Sequence, residues 1–282
     1  MDRKKIAVVG VGLIGGSLAL QLNEKGLTSR IIGVDSNEEH ARTALEMELV
    51  DELMSLEDAV RAADIVILAI PVDVIMVMLP LLLDLIDRQI VIDLGSTKAA
   101  LVNIVKGHPK RSRYVAAHPM WGTEYSGPQS AVRGAFENKA VILCNTNESD
   151  DDAVQWTRKM FGKIGMHLLE MNADDHDLHV AYVSHISHIT SFALANTVLE
   201  KEREDQAIFE MASAGFESTV RLAKSNPSMW VPVLMQNREN VLDVLNEHIS
   251  QLRKFKSCLE KENWEYLREL MEGANRIRRI LK

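Results

Sequence analysis

The chain has 282 residues, with 32 Lys and Arg against 40 Asp and Glu, a formal net charge of −8 and 46% apolar residues. Those proportions describe a globular chain able to bury a core, and the acidic balance without a basic stripe argues against a nucleic-acid partner. No run reaches the roughly 18 apolar residues of a membrane span.

The longest apolar run, Val72 to Ile86, is interrupted by Pro80 and two Asp, and the short run before Gly10 is no signal peptide. Two cysteines, Cys144 and Cys258, are too few for a disulfide framework and fit a reducing cytoplasm.

Short β-branched runs alternate with helical stretches through the first half. Lys5 to Val9 reads as a strand, followed by a glycine-rich turn and a helix ending near Gly26. Ile31 to Asp35 is the next strand, then a helix from Glu38 to about Met47. Further strands are expected at Asp64–Ile70, Gln89–Leu94, Tyr114–Ala117 and Ala140–Cys144, with a short last one near His167–Leu169 after a helix from Asp152 to Ile164. Strands this continuously apolar are buried on both faces, as in a parallel sheet covered by helices. The pattern predicts an α/β fold with a Rossmann-type, doubly wound, mostly parallel sheet over residues 1–172.

After Met171 the strand signal stops, and Asp174-Asp175-His176-Asp177 has the acidic character of a helix start. Residues 173–282 read as an all-helical domain. Val241, Leu245, Leu252, Phe255 and Leu259 recur at nearly heptad spacing with His248 among them, a stripe that packs on another helix of this chain or of a partner.

Gly10-Val11-Gly12-Leu13-Ile14-Gly15 lies between a strand and a helix, where a dinucleotide fingerprint belongs. Gly10 permits the tight turn, Gly12 lets backbone approach a pyrophosphate, and Gly15 lets helix and strand pack closely. Leu13 and Ile14 open the helix whose free N–H groups face the phosphates. Asp35 follows about 20 residues later, where a carboxylate accepts the ribose hydroxyls and repels a 2′-phosphate. NAD is therefore the expected cofactor; the plainer use of Asp35 is to cap the next helix.

Three later strand ends carry chemistry-bearing residues: Ile70-Pro71, Asp93 to Lys98 with Ser96, and His118 to Glu124. A His at such an end serves as general base on a hydroxyl carbon losing a hydride, or is held by backbone in a crowded turn. Ser96 either orients that imidazole and the nicotinamide amide or caps a helix. In the helical half, Ser184-His185-Ile186-Ser187-His188 puts two histidines three apart on one helix face, a candidate metal pair with His176 and His179 upstream. No HExxH pattern or nearby cysteine accompanies them, so no metal is expected. Arg221 either holds a substrate carboxylate or carries its charge into solvent.

Taken together, these motifs resemble the prephenate and arogenate dehydrogenase family of tyrosine biosynthesis. The resemblance rests on Val9 to Ala19, Asp93 to Lys98, His118-Pro119-Met120 with Gly122-Thr123-Glu124 and Ser126-Gly127, Ala181 to His185 with His188, and Asn226-Pro227 with Met229-Trp230. It implies NAD-dependent oxidative decarboxylation of prephenate, or of arogenate as the alternative, by a homodimer joined through its helical domain. It further implies that His118 accepts the ring hydroxyl's hydrogen bond and proton, and that Ser96 orients His118 beside the nicotinamide. His188 and Ser184 would then contact the substrate, Arg221 would bind a substrate carboxylate and Glu124 would order the cleft. Trp121 and Pro232 depart from the family pattern, which commonly has a small residue and an Asp at those places. The rival expectations are a β-hydroxyacid dehydrogenase or imine reductase working through Lys201 or Lys224, and a non-enzymatic NAD(H) sensor.

Overall fold

A computed structural model describes residues 3–202 and 208–280. In chain order the elements are β1 (Lys4–Val9), α1 (Leu13–Glu24), β2 (Thr28–Val34), α2 (Glu38–Glu46), β3 (Glu52–Leu53), α3 (Leu56–Ala62), β4 (Ile65–Leu68), α4 (Val72–Leu85), β5 (Ile90–Asp93), α5 (Ala99–Ile104), β6 (Tyr114–Pro119) and β7 (Ala140–Cys144). There follow α6 (Asp151–Ile164), β8 (His167–Met171), α7 (Ala173–Val180), a π-helical turn (Ala181–His185), α8 (Ile186–Glu202), α9 (Ala214–Val220), α10 (Pro227–Gln236), α11 (Arg238–Glu260) and α12 (Trp264–Ala274).

The eight strands form one sheet in the order β3-β2-β1-β4-β5-β6-β7-β8. Every pairing is parallel except β6 with β7, which are antiparallel. The alternation within each strand explains why its sequence is apolar throughout. Ile6 and Val8 of β1 enter one core with Ile31, Ile65, Ile67 and Ile92, whereas Ala7 and Val9 enter a second with Ile32, Val66, Leu68 and Val91. A strand buried on both faces has no polar side to show.

Strand order reverses between β1 and β4, and the crevice beyond the carboxyl ends of those strands is where this sheet type takes ligands. α4 runs unbroken through Pro80. Its buried face of Val72, Ile75, Leu79, Leu82 and Leu83 offsets the roughly 3 kcal/mol that an internal proline costs a helix.

The chain divides into two compact units, Met1–Asn237 and Arg238–Lys282. The first holds the sheet and also α7 to α10, so the end of the strand signal near residue 172 is not where this packing divides. Asn172 caps α7 through its side chain, accepting from the Asp175 amide at 2.7 Å. The second unit is α11 packed on α12. α11 spans the whole predicted stripe, and Leu252 and Leu259 on it are exposed, as are Trp264 and Met271 on α12. No helix among the described residues is long and apolar enough to cross a membrane.

Candidate functional site

The glycine turn is built as its spacing predicts. Gly10 has φ +89°, a left-handed conformation that side chains resist, and its amide donates to the Val34 carbonyl at 2.8 Å. A Cβ at Gly15 would stand 1.9 Å from the Gly10 carbonyl oxygen, which is the close helix-to-turn packing that demands glycine. A Cβ at Gly12 would meet nothing of the protein nearer than the Gly127 nitrogen at 4.0 Å. Gly12 thus faces open space, and α1 begins there without a side-chain cap. Asp35 accepts from the Val11 amide at 3.0 Å and the Asn37 amide at 2.9 Å. It holds the glycine turn in place, and the cap of α2 is Asn37. The helix-capping alternative for Asp35 is thereby removed.

A cavity of about 650 Å³ opens from this turn. Gly12, Leu13 and Ile14 line one end, with Ile70, Pro71 and Ser96 beside them; His118, Glu124, Ser184, His188 and Arg221 line the rest. Gly10, Gly15 and Asp35 do not line the cavity; they shape the turn that opens onto it. Lys201 and Lys224 do not line it. The open face over Gly12, the uncapped helix start and the Asp35 carboxylate at the end of β2 fit a dinucleotide: phosphates at the turn and a ribose beside the acid.

His118 ends β6, 9% exposed. Its Nδ1 lies 2.8 Å from Nε2 of His176, and no bond to Nε2 occurs among the described residues. Burial, reinforced by His176 and Lys98 nearby, holds the His118 imidazole well below its ordinary pKa. His176 in turn places Nδ1 2.7 Å from an Asp177 carboxylate oxygen. Asp177 also accepts the amides of Lys98 and Ala99, at 2.8 and 2.9 Å, where α5 begins. The expected orienting contact from Ser96 to His118 is therefore not what fixes the ring: Nδ1 belongs to His176.

Beneath the Gly95-Ser96 turn, a wholly buried Asp93 pairs with Lys98. It also accepts from the Tyr114 hydroxyl at 2.7 Å and the Gly95 amide at 2.9 Å. Burial and the Asp93 charge together push the Tyr114 hydroxyl well above its usual pKa. With its oxygens satisfied on several sides, this ion pair meets the condition under which a buried charge is tolerated, and it pins the strand end that carries Ser96.

The π-helical turn Ala181–His185 sends its two flanking histidines different ways. His185 is buried, accepts from Asn237 at 3.1 Å and meets Trp230 edge-on; burial lowers its pKa to about 4. His188 faces the cavity and stacks on Trp230. Opposite, Arg221 pairs with Glu124 at 3.1 Å, so its charge is not simply solvated. Trp121 packs edge-on against Phe136 at 5.3 Å and joins the cavity wall; Pro232 lies within α10 and does not line it.

In the sequence His176, Asp177, Asp93, Lys98 and Trp230 carry no individual role in the site. Their signal was present as the acidic helix start, the Asp93-to-Lys98 segment and the Met229-Trp230 pair, but their contacts bridge separate parts of the chain.

The strand order, the glycine turn and a histidine-bearing cavity at the sheet's carboxyl edge define a Rossmann-type, dinucleotide-dependent oxidoreductase. The family model described as prephenate dehydrogenase, nucleotide-binding domain, matches residues 18–170, and that of the prephenate dehydrogenase dimerization domain matches residues 172–273. The chain belongs to the prephenate dehydrogenase family.

Prephenate dehydrogenase of Bacillus subtilis (strain 168) is 33% identical over 277 residues, covering 97% of this chain and 75% of that one. The solved structure of prephenate dehydrogenase from A. aeolicus in complex with hydroxyphenyl propionate and NAD+ superposes with TM-score 0.91 at 28% identity, covering 100% and 99% of the two chains. Synechocystis arogenate dehydrogenase is also similar, with TM-score 0.75, 27% identity and coverage of 99% and 100%.

Proposed function

We propose that this chain catalyses the NAD-dependent oxidative decarboxylation of prephenate to 4-hydroxyphenylpyruvate, in tyrosine biosynthesis. The observation that carries this reading is His118. It is a buried, neutral imidazole whose Nε2 has no bond among the described residues, in one cavity with Arg221, His188 and the glycine turn. Relatives named for prephenate and for NAD+ support it.

Bound NAD supplies the hydride acceptor. Gly10, Gly12, Leu13, Ile14, Gly15, Asp35, Ile70, Pro71 and Ser96 are the residues that would hold it. His118 Nε2 takes the proton of the ring hydroxyl as that carbon loses its hydride. The ring carboxylate then leaves as carbon dioxide, its bonding electrons completing the aromatic ring, and the proton returns to the ring oxygen. The cost of charging a buried imidazole favours that return. No net proton is released, so the site needs a base that borrows a proton rather than one that keeps it. Arg221 binds the side-chain carboxylate of the substrate and Glu124 holds Arg221 in place. A clamp on the departing carboxylate would instead stabilise the ground state and slow its loss.

A second reading, arogenate as substrate, is favoured by one contact. His188 Nδ1 lies 3.1 Å from the Ser184 carbonyl. A carbonyl only accepts, so Nδ1 carries the proton and the neutral ring presents an acceptor at Nε2. An acceptor suits the ammonium of arogenate better than the keto group of prephenate. Initial rates of NADH formation with the two substrates in parallel test the choice: a higher kcat/KM for prephenate supports the first reading, and a higher value for arogenate replaces it.

In this reading residues 1–172 bind the cofactor and residues 173–282 bind substrate and a second copy of the chain. The exposed apolar side chains of α11 and α12 support a homodimer. The free, buried Cys144 and Cys258 suit the cytoplasm.

A further inference from the structure

We propose that His176 and Asp177 are positioning residues that determine which nitrogen of His118 carries its proton, and so hold Nε2 as the base. The inference rests on the reading of His118 given above. Neither residue lines the cavity, and each is almost fully buried, at 1% and 2% exposure.

The chain of donors runs one way. Asp177 already accepts two backbone amides at the start of α5, one on each oxygen, as well as the His176 ring. An ionised carboxylate only accepts, so His176 Nδ1 carries a proton toward it. With that single proton placed, His176 Nε2 offers a lone pair, and among the described residues the group that fills it is His118 Nδ1, at 2.8 Å. His118 therefore carries its proton on Nδ1 and turns an unprotonated Nε2 to the cavity. Which ring nitrogen is protonated is set by the bond the other one makes, and here that choice is passed through two imidazoles from a carboxylate anchored on a helix start. The rings meet edge-on, at 69° with centroids 5.0 Å apart, so the second ring also fixes the direction of the first.

The alternative order is equally definite. A doubly protonated His176 would donate to His118 Nδ1 and leave the proton on Nε2, where it would block the hydroxyl. Nitrogen NMR on the full-length protein with labelled histidine rings, His118 being assigned from the spectrum of His118→Asn, distinguishes the two. The wild type is expected to carry its His118 proton on Nδ1; a proton on Nε2 overturns the proposal whatever the variants do.

His176→Phe keeps the ring volume and removes the acceptor. Its kcat is expected to fall roughly 100-fold, with NAD affinity and substrate KM essentially unchanged and His118 shifted toward its Nε2–H form. His176→Gln, which retains an oxygen to accept from Nδ1, is expected to recover much of that loss. A folded His176→Phe enzyme with wild-type kcat overturns the relay; if that variant does not fold, the wild-type spectrum decides. Should His118→Asn itself keep its turnover, the function of His118 fails, a result separate from failure of the relay.

Discussion

The His188 ring lies over the face of Trp230, with ring centroids 3.5 Å apart and planes 29° apart. Trp230 comes from α10 and His188 from α8, so the stack fixes an imidazole in the cavity wall. Burial lowers the pKa of His188, and at neutral pH its Nε2 is an acceptor. A donor appears there only as pH falls below the ordinary imidazole range, and the indole face supports the resulting cation. The ratio of kcat/KM for prephenate to that for arogenate is therefore expected to rise as pH is lowered from about 8 to about 5.5. Because both substrates share His118, its titration cancels in the ratio. A flat or falling ratio would show that His188 does not contact the side chain.

Two glycines of one turn separate folding from cofactor binding. Gly15→Ala places a methyl against the Gly10 carbonyl, and a contact of 1.9 Å cannot be relieved without moving α1 from β1. A clear drop in Tm is expected. Gly12→Ala meets no protein atom closer than 4.0 Å, so its Tm should stay near wild type while NAD binding weakens by ten-fold or more, about 1.4 kcal/mol. Thermal melts and NAD titration of both variants check this. Unchanged NAD affinity in Gly12→Ala would remove the dinucleotide from the turn.

Arg221 is half-exposed and bound to a carboxylate of the opposite wall. A charge-assisted hydrogen bond contributes roughly 1.5–3 kcal/mol, so Arg221→Ala should raise substrate KM by about ten- to a hundred-fold. NAD affinity should not change. Glu124→Gln frees the guanidinium from its partner and should alter KM more than kcat. Steady-state kinetics that found a normal KM in Arg221→Ala would return this residue to a surface role.

Much of the sheet was legible because burial on both faces leaves a simple trace: alternate residues of β1, β4 and β5 feed two cores, and their sequences contain little but Ile, Val, Leu and Ala. Punctuation was legible too, with Gly165 closing α6 in a left-handed turn. β3 was not, since two residues carry no period.

In the site, His118 could be picked out by its place at a strand end, and Arg221 and Glu124 by the family resemblance. The pairings themselves could not: Glu124 is 97 residues from Arg221 and His176 is 58 from His118. Contacts at such separation are made by the fold and leave no local spacing. The π-helical turn before α8 also escaped notice, and it changes which faces His185 and His188 present.

The central claim is that a neutral His118 takes the substrate's hydroxyl proton on Nε2 as hydride departs. The most direct measurement is kcat for prephenate in His118→Asn, beside NAD affinity in the same variant. Proton transfer by a placed side chain contributes about 10²- to 10⁴-fold, so turnover should fall by that factor while NAD binds as in the wild type. Turnover undiminished in a variant that still binds NAD would contradict the account.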